Sequence, residues 1–217
     1  VAYGLAYLTR SAVYPHGHPF ALSVSLLTAW TMGAVISIIA YRRSKVRQKI
    51  LGETCKELGV EKPVLYQANA VDDELFNALR SYEKPEDMVL GSKTLLYYGS
   101  LWGEWFDWDL VYGLAKHDPT LSVNLIGGHP DPRIMGIAPE NVHFLGLKKQ
   151  PDLPAYLKYA DFALIPFKTG DIGDYVSPLK IFEYISAGKN VLTTALPDIK
   201  GYPNMYSGND LESWIHA

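Results

Sequence analysis

From about residue 90 to residue 205 short apolar runs of strand length alternate with stretches of helix length, a pattern that few folds accept. TLLYYGSL (94–101), LSVNLIGG (121–128), NVHFLGL (141–147), DFALIPF (161–167) and NVLTTAL (190–196) read as strands. They are nearly continuous in apolar side chains, as strands are when both faces of their sheet are covered. Between them lie helices: one from Trp108 ended by Pro119, one over LPAYLKYA (153–160) and one over SPLKIFEYISAG (177–188). In the last of these Ser177 is expected at the N-cap, Pro178 at the first helical position and Gly188 just past the end. A buried strand is also expected over PVLYQANAV (63–71), then a helix over DELFNALRSY (73–82) capped by Asp72 or Asp73. The alternation predicts an α/β fold, a Rossmann-like doubly wound parallel sheet, occupying residues 63–217.

Residues 1–62 read as a separate helical region. FALSVSLLTAWTMGAVISIIAY (20–41) carries no charge over 22 residues. As a helix it would rise about 33 Å, close to the thickness of a bilayer core. Arg42, Arg43, Lys45, Arg47 and Lys49 follow it, a bias that would put the C-terminal side in the cytoplasm. Ser23, Ser25, Thr28, Thr31, Ser37 and a mid-span Trp30 suit a buried helix of a soluble domain equally, so both readings stand. Residues 42–58 predict an exposed basic helix with Val46, Ile50 and Leu58 as sparse apolar anchors. Its cations suit either anionic headgroups or solvent. Contact with a membrane through 20–49, at the cytoplasmic face, is the corresponding expectation.

Composition narrows the function. With 48% apolar and 20% charged residues the chain can bury a core, which excludes general disorder. Its 20 basic against 23 acidic residues exclude a nucleic-acid binder working through bulk positive charge. Cys55, the one cysteine, excludes a disulfide framework and a cysteine-rich zinc site and reads as a passive thiol. The six histidines are scattered, and no metal site is expected. Neither G-x-G-x-x-G nor G-x-x-x-x-G-K-[ST] occurs, which argues against a dinucleotide oxidoreductase and a P-loop kinase.

In open α/β sheets ligands bind at the carboxyl ends of the strands, where strand order reverses. Gly99-Ser100 after the first of these strands, Gly127 and Gly128 after the next, and Ser177-Pro178-Leu179-Lys180 at a helix start all fall at such ends. Free amides and the positive dipole end at a helix start favour a phosphate. Glu183, one turn on, is placed to accept hydrogen bonds from a ribose diol. Each has a plainer reading: tight turns for the glycines, ordinary capping for the helix start.

SPLKIFEYISAGKNVLTT (177–194) resembles the nucleotide-sugar signature of GT-B glycosyltransferases, in particular the glycosyltransferase family 4-like enzymes, through Pro178, Lys180, Glu183, Tyr184, Ala187 and Gly188. QANAVDDELF (67–76) is similar to the interdomain segment of that family, with Ala70 where a glycine is usual. VHFLGLKKQPDLPAYLKYADFALIPFK (142–168) is similar to the segment before its signature helix. The resemblance implies the C-terminal, donor-binding half of a GT-B fold and a transferase acting on a nucleoside diphosphate sugar, with no cofactor and no metal. It implies that Gly99, Ser100, Ser177, Pro178, Leu179 and Lys180 lie near the diphosphate and that Glu183 binds the ribose hydroxyls. Two departures stand out. The position eight before Glu183 is Tyr175, where many relatives have a carboxylate, and Asp174 is one residue out of register. The frequent Arg…Lys pair after the first strand is replaced by WGEWFDWD, with Trp105, Phe106 and Asp107. Asp174, Tyr175 and Gly127 are therefore carried as further donor contacts, and no catalytic residue is singled out. The region before the donor domain, about 90 residues, is short for an acceptor domain, so a donor-domain fragment or a reduced form is expected. The expected partners are a nucleotide-sugar donor such as a UDP-sugar and an acceptor glycan or lipid-linked sugar of envelope or polysaccharide assembly; the alternative is a non-catalytic nucleotide- or glycan-binding module.

Overall fold

The computed structural model describes residues 42, 45, 46, 48–59, 69–101, 104–170 and 176–217. It divides into two compact units, Val1–Asn69 and Ala70–Ala217. In the first, residues 48–57 are helical and end at Gly59, whose φ of +71° is the left-handed turn of a helix exit. Val46, Ile50 and Leu58 are exposed rather than anchored. Lys49 and Glu53 pair across one turn at 3.9 Å. The candidate span 20–41 lies outside the described residues, and among the described residues no helix is long and apolar enough to cross a membrane.

The second unit is a six-stranded, all-parallel sheet: β1 (Thr94–Tyr98), β2 (Ser122–Ile126), β3 (Val142–Gly146), β4 (Phe162–Ile165), β5 (Asn190–Thr193) and β6 (Met205–Ser207), in the order β3-β2-β1-β4-β5-β6. Every residue of β1 and β2 is buried; in β2 the polar Ser122 and Asn124 are accommodated by hydrogen bonds to the Val89 carbonyl. Helices α1 (Trp108–His117), α2 (Pro132–Gly136), α3 (Leu153–Tyr159), α4 (Lys180–Ser186) and α5 (Leu211–Ile215) make the crossovers and the C-terminal cover. The expected doubly wound sheet is thus observed, and β1 and β4 flank the point where strand order reverses.

Local chemistry sets the boundaries. Asp107 caps α1 by accepting from the Leu110 amide at 3.0 Å, and Leu110, Val111, Leu114 and Ala115 turn inward. Helix α4 ends in a Schellman turn: Gly188, at φ +71°, donates to Ile185 O and Lys189 donates to Tyr184 O. Its start differs from expectation. The helix begins at Lys180, not Ser177, with no side-chain cap, because Ile181 and Phe182 bond back three residues to Pro178 and Leu179.

The expected helix over 73–82 does not form. Asp72 caps a single turn, its Oδ1 taking the amides of Glu74 and Leu75 and its carbonyl that of Phe76, and a second turn begins at Asn77, whose Oδ1 takes the Leu79 amide, so the helix does not propagate. Of the strand expected over 63–71, residues 69–71 are irregular and the rest lie outside the described residues. Helix α2, strand β6 and helix α5 were not anticipated. Asp131 capping a Pro132 start, and the Asp210–Ser213 capping box, are the signals that announce the two helices.

Candidate functional site at the strand-order reversal

Tyr98 ends β1 and Gly99 turns the chain out of the sheet at φ +143°. A Cβ at Gly99 would lie 2.9 Å from Lys180 Nζ and 3.0 Å from the Tyr97 hydroxyl, so glycine there lets helix α4 close on the strand end. The Tyr97 hydroxyl in turn donates to the Ser100 carbonyl at 3.0 Å, fixing the turn. Gly127 stands beside this turn: a Cβ on it would collide with the Gly99 carbonyl oxygen and come within 2.8 Å of Leu101 Cγ. Gly128 lies where a Cβ would press on the exposed Leu147.

Lys180 is half-buried. Its Nζ sits 4.9 Å from the Tyr97 ring centre and 5.0 Å from that of Phe167, a two-ring cation–π seat. Among the described residues no ion pair involves it. Burial lowers its pKa to about 8, with the Glu183 charge pulling weakly the other way. Glu183, three residues on and so on the same helix face, accepts from the Tyr98 hydroxyl at 2.7 Å. Tyr184, fully buried beside it, packs edge-to-face on Tyr98 at 5.0 Å.

The strand ends around the Gly99 turn are aromatic. The segment Trp105–Asp107 runs back along the β4 exit: Asp107 N donates to Pro166 O and Lys168 N donates to Trp105 O, each at 2.7 Å. That pairing lays Phe106 against Tyr97 at 4.9 Å, with Phe167 at 6.3 Å from the same ring.

Of the residues singled out by sequence, Gly99, Gly127, Lys180 and Glu183 come together here. Ser100 is exposed and belongs to the turn, Pro178 is buried, Leu179 is exposed and stands at the N-cap position, and Ser177 lies ahead of it. The amides of Ile181 and Phe182 are engaged by the carbonyls of Pro178 and Leu179. Asp174 and Tyr175 lie outside the described residues. Tyr97, Tyr98 and Phe167 were not singled out, because in an apolar strand they read as core; their place at strand ends, next to Gly99 and Pro166, is the signal that finds them.

No family model matches the sequence. Over 137 residues the chain is 27% identical to TuaH of Bacillus subtilis (strain 168), named for a glycosyltransferase of teichuronic acid biosynthesis; the match covers 59% of this chain and 34% of that protein. Among solved structures, sucrose-phosphate synthase from Thermosynechococcus elongatus is similar with a TM-score of 0.52 and 16% identity, over 79% of this chain and 46% of that one. The chain therefore spans about a third of the curated relative and under half of the structural one. Sheet order and the structural likeness together define a Rossmann-like α/β domain with the fold of part of that synthase.

Proposed function

We propose that residues 70–217 form the donor side of a glycosyltransferase, binding a nucleoside diphosphate sugar in the crevice between β1 and β4. The observation that carries this reading is the convergence of Gly99, Lys180 and Glu183 on one strand end, from two segments some 80 residues apart in sequence. Gly99 gives backbone clearance for a diphosphate, Lys180 offers it an ammonium, and Glu183 offers a carboxylate to a ribose diol. In transfer the bond between the sugar's anomeric carbon and the β-phosphate oxygen breaks while an acceptor hydroxyl, losing its proton, bonds to that carbon. Charge grows on the departing diphosphate, and a fixed ammonium in a partly desolvated seat stabilises it there. The acceptor is inferred to be a glycan or lipid-linked sugar of polysaccharide or cell-envelope assembly, in keeping with what TuaH is named for.

Calorimetry with UDP, GDP and ADP tests the reading. One of the three is expected to bind in the micromolar range, and Glu183→Ala to weaken it about tenfold or more, the loss of hydrogen bonds to a charged acceptor. Failure of all three to bind removes the donor site. The aromatic segment at Trp105–Asp107, in place of two cations, favours a second reading, a binding module without transfer; release of UDP from a UDP-sugar on addition of acceptor decides between them.

The basic N-terminal segment is inferred to touch anionic membrane surface. Deleting residues 1–49 is expected to abolish co-sedimentation with phosphatidylglycerol vesicles at low salt. Sedimentation unchanged by the deletion refutes that contact.

A further inference from the structure

Resting on the donor-site reading above, we infer that Tyr98 is the positioning residue of the Glu183 carboxylate, and that the pair selects ribose over 2′-deoxyribose in the bound nucleotide. Tyr98 is only 5% exposed and closes β1 at the crevice. Its hydroxyl donates to Glu183 Oε2 at 2.7 Å, its ring meets Tyr184 edge-to-face, and its amide donates to the Tyr184 hydroxyl oxygen at 3.4 Å. The phenol is thus held by ring packing and by its own backbone.

A glutamate on a helix has three side-chain torsions and several staggered arrangements open to it. One short bond from an immobile phenol selects among them, and a hydrogen bond to an ionised acceptor is of the stronger kind. With Oε2 engaged by Tyr98, a vicinal diol has Oε1 and the remaining lone pair of Oε2 to donate to. Losing one hydroxyl of the diol then leaves a partly desolvated carboxylate under-coordinated, which is how a polar site rejects a deoxy analogue. Tyr98 keeps its proton throughout the physiological range, since burial, then Tyr184 and the Glu183 charge, all raise its pKa. It therefore remains a donor to the carboxylate. An apolar residue at this strand end would pack as well and leave Glu183 unanchored.

The experiment is calorimetry of UDP, GDP and ADP and their 2′-deoxy counterparts on the full chain. Wild type, Tyr98→Phe, Glu183→Ala and the double variant are compared, with thermal melts alongside. Tyr98→Phe keeps the ring and its packing, so the fold is expected to survive. Its preference for ribose is expected to fall about tenfold while affinity for the 2′-deoxy nucleotide stays nearly constant. The double variant is expected to lose no more preference than Glu183→Ala alone, because Tyr98 acts through Glu183. An unchanged preference in Tyr98→Phe overturns the inference and leaves the donor site standing; absence of any nucleotide binding to wild type overturns both. Should Tyr98→Phe not fold, 3-fluorotyrosine in place of Tyr98, a stronger donor of similar size, is expected to raise the preference, and no change refutes the inference.

Discussion

Gly127→Ala is expected to destabilise the chain by about 3 kcal/mol, the scale of overpacking a closed interior, and to lower the melting temperature by about 6–12 °C for a chain of this size. The cause is space. The β2 exit and the β1 exit run so close that a methyl group on Gly127 would collide with the Gly99 carbonyl oxygen, with Leu101 Cγ 2.8 Å away. Neither neighbour can yield cheaply. The Gly99 amide is held by Ile126 O at 2.9 Å and the Gly127 amide by Gly146 O at 3.0 Å, while Leu101 is 2% exposed. If the fold relaxes around the methyl group, it does so by pushing Gly99 toward Lys180, and nucleotide affinity falls with stability. Gly136 provides the control: it ends helix α2 with open space around it, and Gly136→Ala is expected to be neutral or stabilising by up to about 1 kcal/mol. Equal melting temperatures for the two variants would show that the approach of the two strand exits is not what requires glycine at 127.

The same crevice shows what sequence can and cannot disclose. Strands β1, β2, β4 and β5 are legible because burial on both faces keeps them free of charged residues and rich in apolar ones, so short uncharged runs mark them. Helix α1 is legible from its periodicity and its terminator, and the end of α4 from Gly188. Where short side chains compete with the backbone, legibility fails: Asp72 and Asn77 convert an amphipathic stretch into successive turns. The candidate site divides the same way. Gly99, Lys180 and Glu183 stand in a recognisable order, yet their convergence depends on which strands become neighbours. No local pattern reports that Tyr98 and Glu183, 85 residues apart, share a hydrogen bond. The cation–π seat of Lys180 is equally hidden, since Tyr97 and Phe167 come from different strand ends and meet only because β4 lies beside β1.

That seat gives the second large effect. Lys180→Met is expected to weaken binding of UDP, GDP or ADP, whichever binds wild type most tightly, by about 2–3 kcal/mol at pH 7, roughly 30- to 150-fold. The pH dependence identifies the group. Burial holds the free Lys180 near pKa 8, so below that pH the ammonium is present and affinity is flat. A bound diphosphate favours the charged form and raises the pKa, so above about pH 8 each binding event must take up a proton. Affinity then falls toward tenfold per pH unit until the pKa of the complex is reached. The diphosphate adds no slope of its own there, its last proton having left near pH 6, and ADP, whose base has no acidic ring N–H, serves as the reference for UDP and GDP. Stability runs the other way: with a folded pKa below the unfolded value near 10.4, protonation favours the unfolded chain, and this cost to the fold is relieved as pH rises from 8 to 10. Two other shifted groups are separable. His143 is lowered from its usual value by burial and titrates below the window. Lys189 is also lowered, chiefly by burial, but its Nζ donates to the carbonyls of Lys158 and Ala160 at the amino-terminal ends of β4 and β5, the far end of the strands from Lys180. Calorimetry at pH 8.5 in two buffers of different ionisation enthalpy reads the proton directly: uptake in wild type, none in Lys180→Met. A wild-type affinity that stays flat from pH 7 to 9.5 would remove Lys180 from the diphosphate and with it the electrostatic half of the donor site.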